Sequence, residues 1–349
     1  MPAGFAVVDA TGTVAAAGFW NCHVHLVSSG LLHPEGLSDN ALSALLQAMF
    51  TRWGFTTVFD LASTTASAKA IRRRIGSGAV IGPAVLTVGE PFYPPAGTPI
   101  YARPIYSAAH LPSAEITSRP EAVARVGAQA AAGVNGIKLF VGAIVGGKQD
   151  VLHMSAGTIR AITGRAHRLG LQTFAHPTDA EGVDLAVDNG VDILAHTDPL
   201  AGPWSAALVA RLRARNVALI PTLMLFALSP DPRTPVETAL QQLKAQASSG
   251  GDVIFGTDAG FIQVYDPTEE YRLMGRVLDW QAILAALTVT PARRFGQAGR
   301  SGRVAPGYPA DLTILTGDPA TDVTNFAKVG KVLRAGAIIY DSAARSPAH

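Results

Sequence analysis

Runs of β-branched, aliphatic and aromatic residues, each five to eight long, recur at 19–26, 56–61, 85–89, 136–141, 172–176, 193–197, 217–222 and 253–257. Their length and composition predict strands. Between most of them lie stretches rich in Ala, Leu and Arg with apolar residues at helical spacing, among them 155–169, 178–189 and 204–215, most closing near a Gly or Asn. Strand and helix units in alternation, eight of each, predict an α/β fold of the (β/α)8 barrel type over residues 18–301. The flanks, 1–17 and 302–349, break this rhythm. The first contains the apolar run 6–9 and the second carries turn-separated runs within 302–315 and 332–340. Together they predict a small β-sandwich-like appendage built from both ends of the chain. The stretch 90–113 departs as well, with six prolines, three tyrosines and neither helical nor strand period. A connection so long and irregular is expected to be functional.

Composition narrows the class. Of 349 residues, 48% are hydrophobic and 15% charged, enough apolar material for a sizeable core, which excludes a disordered or fibrous protein. Basic and acidic residues nearly cancel, 28 against 26, and the longest basic run, Arg72 to Arg74, closes a predicted helix where cations suit the dipole. That distribution is no nucleic-acid footprint. Cys22 is the one cysteine, so no internal disulfide framework exists, and no apolar run reaches the roughly 18 residues of a membrane span. The opening MPAGFAVVDATG has neither the basic nor the apolar region of an export signal. The expectation is a cytoplasmic protein.

The chemistry gathers at predicted strand ends. His23 and His25 close the first strand, and a spacing of two points both imidazoles to one side, here the barrel interior, as two ligands of one ion require. His176 and His196 each end a strand and lie twenty residues apart, about one strand and helix unit, which makes them neighbours on the rim. Enzymes of this fold place their chemistry at that rim. A single such His would be read as a structural residue; four of the nine His at three strand ends point to a metal site. Asp258 closes the eighth run in Gly-Thr-Asp-Ala-Gly, where a carboxylate beside cations stays ionised, although the position also suits a turn before Gly260. Lys138 sits within the apolar run Gly-Ile-Lys-Leu-Phe. A closed barrel has no edge strand on which to expose it, and burying an unpaired ammonium is expensive.

These residues resemble the metal-dependent amidohydrolase superfamily, specifically its imidazolonepropionase-like branch, which includes metal-dependent peptidases. Gly-Phe-Trp-Asn-Cys-His-Val-His-Leu from residue 18 looks like the first-strand signature, Ile-Lys-Leu-Phe from 137 the fourth-strand lysine, and Gly-Thr-Asp-Ala-Gly from 256 the eighth-strand aspartate. The tail from Gly302 is similar to the stretch returning to the small β-sandwich. The resemblance implies a carbamate on Lys138 that bridges two divalent metals, with zinc as the expected ion. His23, His25 and Asp258 would hold one and His176 and His196 the other. A hydroxide between them would attack a carbonyl, with Asp258 as general acid and base. Relatives place more sandwich strands before the barrel, so the appendage and any leader are left open. Asn21 stands where many relatives carry Asp, a change expected to bear on how the His23 ring is held.

Loops after the strands are apolar and aromatic, and supply the expected substrate contacts: Tyr93, Tyr101 and Tyr106 in 90–113, then Met224, Phe226 and Phe261. Arg103 in the first loop is a candidate for a substrate carboxylate, although a solvated loop charge is the commoner role. Asp198 after His196 is unusual, with helix capping as the simpler account. Cys22, between the inward positions, is expected to face the helix layer. The leading function is a binuclear hydrolase of an amide, peptide-like or ester bond in a small aromatic or lipophilic substrate. Its rivals are a mononuclear deaminase or cyclic-amidine hydrolase, which needs no bridging Lys138, and a non-hydrolytic member of the superfamily. A small molecule is the expected partner, without nucleic acid or membrane, and self-association into a homo-oligomer is left open.

Overall fold

The structure is a computed structural model that describes residues 7–146, 150–229 and 235–344; the outermost parts of the expected appendage, 1–6 and 345–349, lie outside the described residues. In chain order the strands are β1 (Val14–Ala17), β2 (Phe19–Val24), β3 (Phe55–Asp60), β4 (Ala84–Thr87), β5 (Gly136–Phe140), β6 (Gly142–Ile144), β7 (Val151–His153), β8 (Gln172–His176), β9 (Ile193–Ala195), β10 (Ala218–Ile220), β11 (Leu312–Leu315), β12 (Val329–Arg334) and β13 (Ala337–Asp341).

The expected barrel is present. Parallel pairing runs β2-β3-β4 and β5-β8-β9-β10. The two arcs meet where Asn135 N–H donates to Thr87 O at 2.7 Å and Phe92 bridges Leu139. The eighth position is held by the extended segment from Val253, which bonds both neighbours without forming a regular strand. Ile254 N–H donates to Leu219 O at 2.9 Å, and Cys22 N–H donates to Phe255 O at 2.8 Å. Gly256 accounts for the tight fit there, since a Cβ would stand 2.4 Å from Ile220 Cγ2 and 2.7 Å from His23 Cβ.

Alternation along the strands makes two cores. Val58, Ile137, Leu139, Leu194 and Leu219 face outward into a layer shared with helix residues such as Ile71, Val126 and Ile159. The intervening Phe59, Phe174, Ile193, Ala195, Ala218 and Ile220 fill the interior, together with Trp20 and Cys22. Phe295 plugs the bottom, its ring 5.0 Å from Phe59 and 5.9 Å from Trp20. Cys22 therefore faces inward, contrary to the sequence expectation. The β2 register shifts between Asn21 and Val24, and that irregularity breaks the simple alternation on which the expectation rested.

Helices begin where capping residues stand: Ala156–Arg168 after Ser155, Ala180–Asp188 after Asp179 and Ala206–Ala214 after Ser205, each cap accepting a backbone N–H. Within 90–113 a six-residue helix, Arg103–Ala108, has Pro104 in its first turn. At under two turns it is too short to write a period into the sequence. β1, β11, β12 and β13 form an antiparallel sheet in that order, joining residues from near both ends. The described part of 6–9 makes no strand, because Asp9 and Ala10 accept bonds from Thr11 and Thr13 in a turn. Phe326 pins this sheet region to the barrel, its ring 5.8 Å from Phe19 and 5.4 Å from Tyr271. Among the described residues no helix is long and apolar enough to cross a membrane.

Phe326 is fully buried in that contact. Phe326→Ala should lower stability by about 3–5 kcal/mol, read as a shifted denaturation midpoint at unchanged slope. A shift too small to measure would mean the sheet is not coupled to the barrel through this ring.

Candidate metal centre

The C-terminal ends of the strands converge as the sequence predicts. His25 Nε2 lies 2.7 Å and His23 Nε2 3.2 Å from Asp258 Oδ1, and one ligand atom from each of the three falls within 4.8 Å of the others. The backbone is bent to bring them there. Asp258 has φ 62° and its N–H donates to His23 O at 2.8 Å. Gly260 follows at φ 100°, where a Cβ would lie 1.9 Å from His25 O; no other residue fits. Asn21 is placed differently from expectation. Its Nδ2 donates to Thr257 Oγ1 at 2.8 Å and its Oδ1 accepts backbone N–H groups of His23 and Thr257, so it ties β2 to the eighth segment rather than holding the His23 ring.

His196 brings the second half of the group. Its ring centroid is 4.3 Å from that of His23 and 4.7 Å from that of His176, and His176 stacks on Phe140 at 4.7 Å. His196 has φ 142° and Thr222 φ 46°, two strained residues held by one bond, His196 Nδ1 to Thr222 Oγ1 at 2.8 Å. The Thr222 hydroxyl has a single proton and donates it to Pro221 O at 2.9 Å. The ring must therefore donate from Nδ1, which leaves the lone pair on Nε2. Lys138, between the outward-facing Ile137 and Leu139, points inward and is 1% exposed, its Nζ 5.5 Å from the centre of the Phe140 ring.

Electrostatics fits the residues to a cation. Burial, then the nearby Lys138, drops the His23 pKa to about 3 against the opposing pull of Asp258. Burial holds His176 and His196 well below the usual imidazole range. All three stay neutral, the form that ligates metal. Burial opposes ionisation of Asp258, yet His23 and His25 outweigh it and keep the carboxyl well below its ordinary value. Burial lowers Lys138 to about 7. Both ring nitrogens of His23, Lys138 Nζ and Asp258 Oδ1 are buried without a hydrogen bond of acceptable geometry. Orphaned polar atoms on three neighbouring buried residues are what a metal centre leaves when the protein atoms are considered alone.

The sequence matches the amidohydrolase family over residues 14–339. The chain belongs to the amidohydrolase family. Amidohydrolases of similar fold include ochratoxinase from A. niger (19% identity, TM-score 0.76, covering 95% of this chain and 84% of that one). Others are phenylurea hydrolase B (20%, 0.78, 97% and 88%) and a Xaa-Pro dipeptidase with bound methionine in its active site (20%, 0.77, 97% and 91%). At these identities the likeness is one of fold. No curated protein matches the sequence. As a family member this chain is a metal-dependent hydrolase.

Above these residues of the amidohydrolase lies a cavity of about 290 Å³. His25, Lys138, His176, His196 and Asp258 line it, as do Tyr93, Tyr101, Tyr106, Phe226 and Phe261 of the expected substrate contacts. Two expected contacts are not among its lining residues. Arg103 is exposed, and its guanidinium donates to the carbonyls of Thr98 (3.2 Å) and Val145 (3.0 Å), binding loops together instead of facing a ligand. Met224 is fully buried, and its N–H donates to Glu270 Oε2 at 2.7 Å while Leu223 N–H donates to Oε1 at 3.0 Å. Glu270 thereby anchors the turn after β10, and Leu225 lines the cavity. Neither Thr222 nor Glu270 could be singled out beforehand, because each acts through a partner remote in sequence.

Thr222→Val preserves the branched shape and removes the acceptor for His196. Affinity for Zn²⁺ should fall about 10- to 100-fold, measured by chelator competition. Unchanged affinity would show that the His196 ring is oriented without Thr222.

Proposed function

We propose that this amidohydrolase is a binuclear hydrolase of amide, peptide-like or ester bonds in a small aromatic or lipophilic substrate. The observation that carries the reading is Lys138: a side chain 1% exposed, with no hydrogen-bond partner, set among neutral imidazoles and one carboxylate. The Asp258 carboxylate attracts an ammonium there but is already engaged by His23 and His25, so burial still weighs against the charged form. Carboxylation by carbon dioxide removes the difficulty, since the amine lone pair bonds to carbon, a proton leaves to solvent, and the side chain becomes an anion. His23, His25 and Asp258 would hold one ion, His176 and His196 the other, and the Lys138 carbamate both. Two divalent ions lower the pKa of an attacking water and polarise the scissile carbonyl.

The rest falls to the chain. Asp258 takes the proton of the attacking water and passes it to the leaving nitrogen or oxygen. Thr222 keeps His196 in the ligating tautomer. The aromatic wall formed by Tyr101, Phe226 and Phe261 holds the substrate and excludes bulk water, which strengthens each interaction within. Neighbours of the same fold that act on phenylureas, ochratoxin and Xaa-Pro dipeptides share no one substrate, so the fold leaves the substrate class to the cavity. The tight group of His23, His25 and Asp258 alone favours a one-ion deaminase or cyclic-amidine hydrolase as the second reading.

Metal analysis decides between them. After reconstitution with Zn²⁺ the binuclear enzyme should hold two ions per chain, and Lys138→Ala should lose metal and activity together, both partly restored by a short carboxylic acid in place of the carbamate. One ion per chain, or an unmodified Lys138 by mass in active protein, would give the second reading the place.

Asp258→Asn keeps an oxygen for coordination but cannot accept the proton. Metal content should be largely retained and KM little changed, while kcat falls by about 10²- to 10⁴-fold. Near-normal kcat with both ions bound would leave Asp258 a ligand only.

A further inference from the structure

Asp198 stands outside the ligand set and is unused by the reaction above. It is 3% exposed and lines the cavity, and its Oδ2 is buried without any partner. The capping role suggested by its sequence position accounts for little of the side chain: at the start of the turn Pro199–Ala201 it makes no capping hydrogen bond, burial raises its carboxyl to about 7 against the pull of the Leu200 and Ala201 N–H groups, and Oδ2 is left over. The backbone around it is held on three sides by one buried residue. Gln242 Oε1 accepts from Asp198 N at 2.6 Å, while Gln242 Nε2 donates to Gly202 O at 2.7 Å and to Asp198 O. The backbone that carries the carboxyl is thereby fixed at the cavity.

Among the described residues no cation pairs with Asp198. The nearest charged influence is of its own sign, from Asp179, whose carboxylate meets His153 Nε2 at 2.8 Å. This side of the cavity therefore offers a carboxyl oxygen with no cation paired to it among the described residues, and the walls beside it are aromatic: Tyr101, Tyr106, Phe226 and Phe261. A buried carboxylate oxygen lacking a donor, with ring faces around it, is the arrangement that binds an organic cation carrying N–H groups. A ligand without an N–H or O–H donor would leave Oδ2 unsatisfied, at the cost attached to any buried unpaired acceptor, and a charged donor makes the stronger bond.

We propose that Asp198 is a specificity-determining residue, and that the substrates of this hydrolase carry a protonated nitrogen, as an ammonium, amidinium or guanidinium beside an apolar body, which Asp198 Oδ2 accepts from. The proposal rests on the cavity above the metal centre being the substrate site. It does not require that the reaction use two ions.

The test compares two small ligands of the same shape and without a cleavable bond, benzamidinium and acetophenone, by calorimetric titration of the reconstituted enzyme. The amidinium should bind about 10- to 100-fold tighter than the ketone. In Asp198→Asn, which retains size and one oxygen for the cap, that preference should vanish while acetophenone binds as before. Absence of a charge preference in the wild type, or its survival in Asp198→Asn, would overturn the proposal. Should Asp198→Asn bind neither ligand, Asp198→Ser, which caps a turn equally well, takes its place under the same criteria. Because both ligands are read by binding, a protein that prefers the amidinium yet hydrolyses nothing would refute the proposed reaction and leave the role of Asp198 standing.

Discussion

The structure depends on one electrostatic constraint: a closed barrel has gathered four imidazoles, an ammonium-bearing side chain and a carboxylate at one end of its interior, where water cannot reach most of them. His23 and Lys138 are essentially unexposed, and the atoms with which they could bond are orphaned. Protein side chains alone do not balance that group, since burial drives the imidazoles to their neutral form and pushes Lys138 towards losing its proton. Bound divalent cations reverse the account, because neutral imidazole and carboxylate are then the favoured forms. The fold thus gathers a group of side chains that a bound divalent cation would balance.

Holding those ligands in place needs backbone conformations that most residues avoid. Thr178, His196, Thr222 and Asp258 all have positive φ, and all lie just beyond strand ends at the cavity. Such strain persists when surrounding structure over-determines it. The sources are visible: Thr178 Oγ1 donates to Gly142 O, Thr222 joins His196 to Pro221, and the N–H of Asp258 is bonded to His23 O. Below them, Trp20, Phe59, Phe174 and Phe295 form a packed aromatic floor. The stable end of the barrel supports the strained one.

What the sequence disclosed follows the range over which each signal acts. The eight strand positions and the convergence of the histidines at their ends were legible, because strand runs and the histidines that close them are local patterns. The helices that begin after Ser155, Asp179 and Ser205 were legible through their apolar period. Direction within β2 was not, since the shift in register between Asn21 and Val24 depends on pairing with a strand more than thirty residues away, and Cys22 consequently lies inside the barrel. Arg103 looked available as a cation, yet two carbonyls from separate loops occupy it. Met224 was judged by its type, whereas Glu270 decides its position by binding the N–H groups at the start of the turn.

The same reasoning separates catalysis from recognition within the cavity. The candidate ligands stand on strands or at the first residues beyond them, where the barrel ladder fixes the backbone. The rest of the cavity wall comes from the intervening loops: the aromatic rings of 90–113, Phe226 after β10, Phe261 beyond the eighth segment, and Asp198, whose backbone Gln242 clamps. Loop contacts can change without disturbing the ligands, because the bonds that orient His196 and Asp258 run to Thr222 and His23 rather than to these residues. Lys138 and Asp198 nevertheless share one property. Each carries a buried polar atom for which the described polypeptide provides no hydrogen-bond partner, and both line the same cavity. An interior that leaves such groups unmatched is stable only at a cost, so their persistence at the place where small molecules enter is explained if the missing partners are themselves small molecules: one resident at the barrel end, the other passing through.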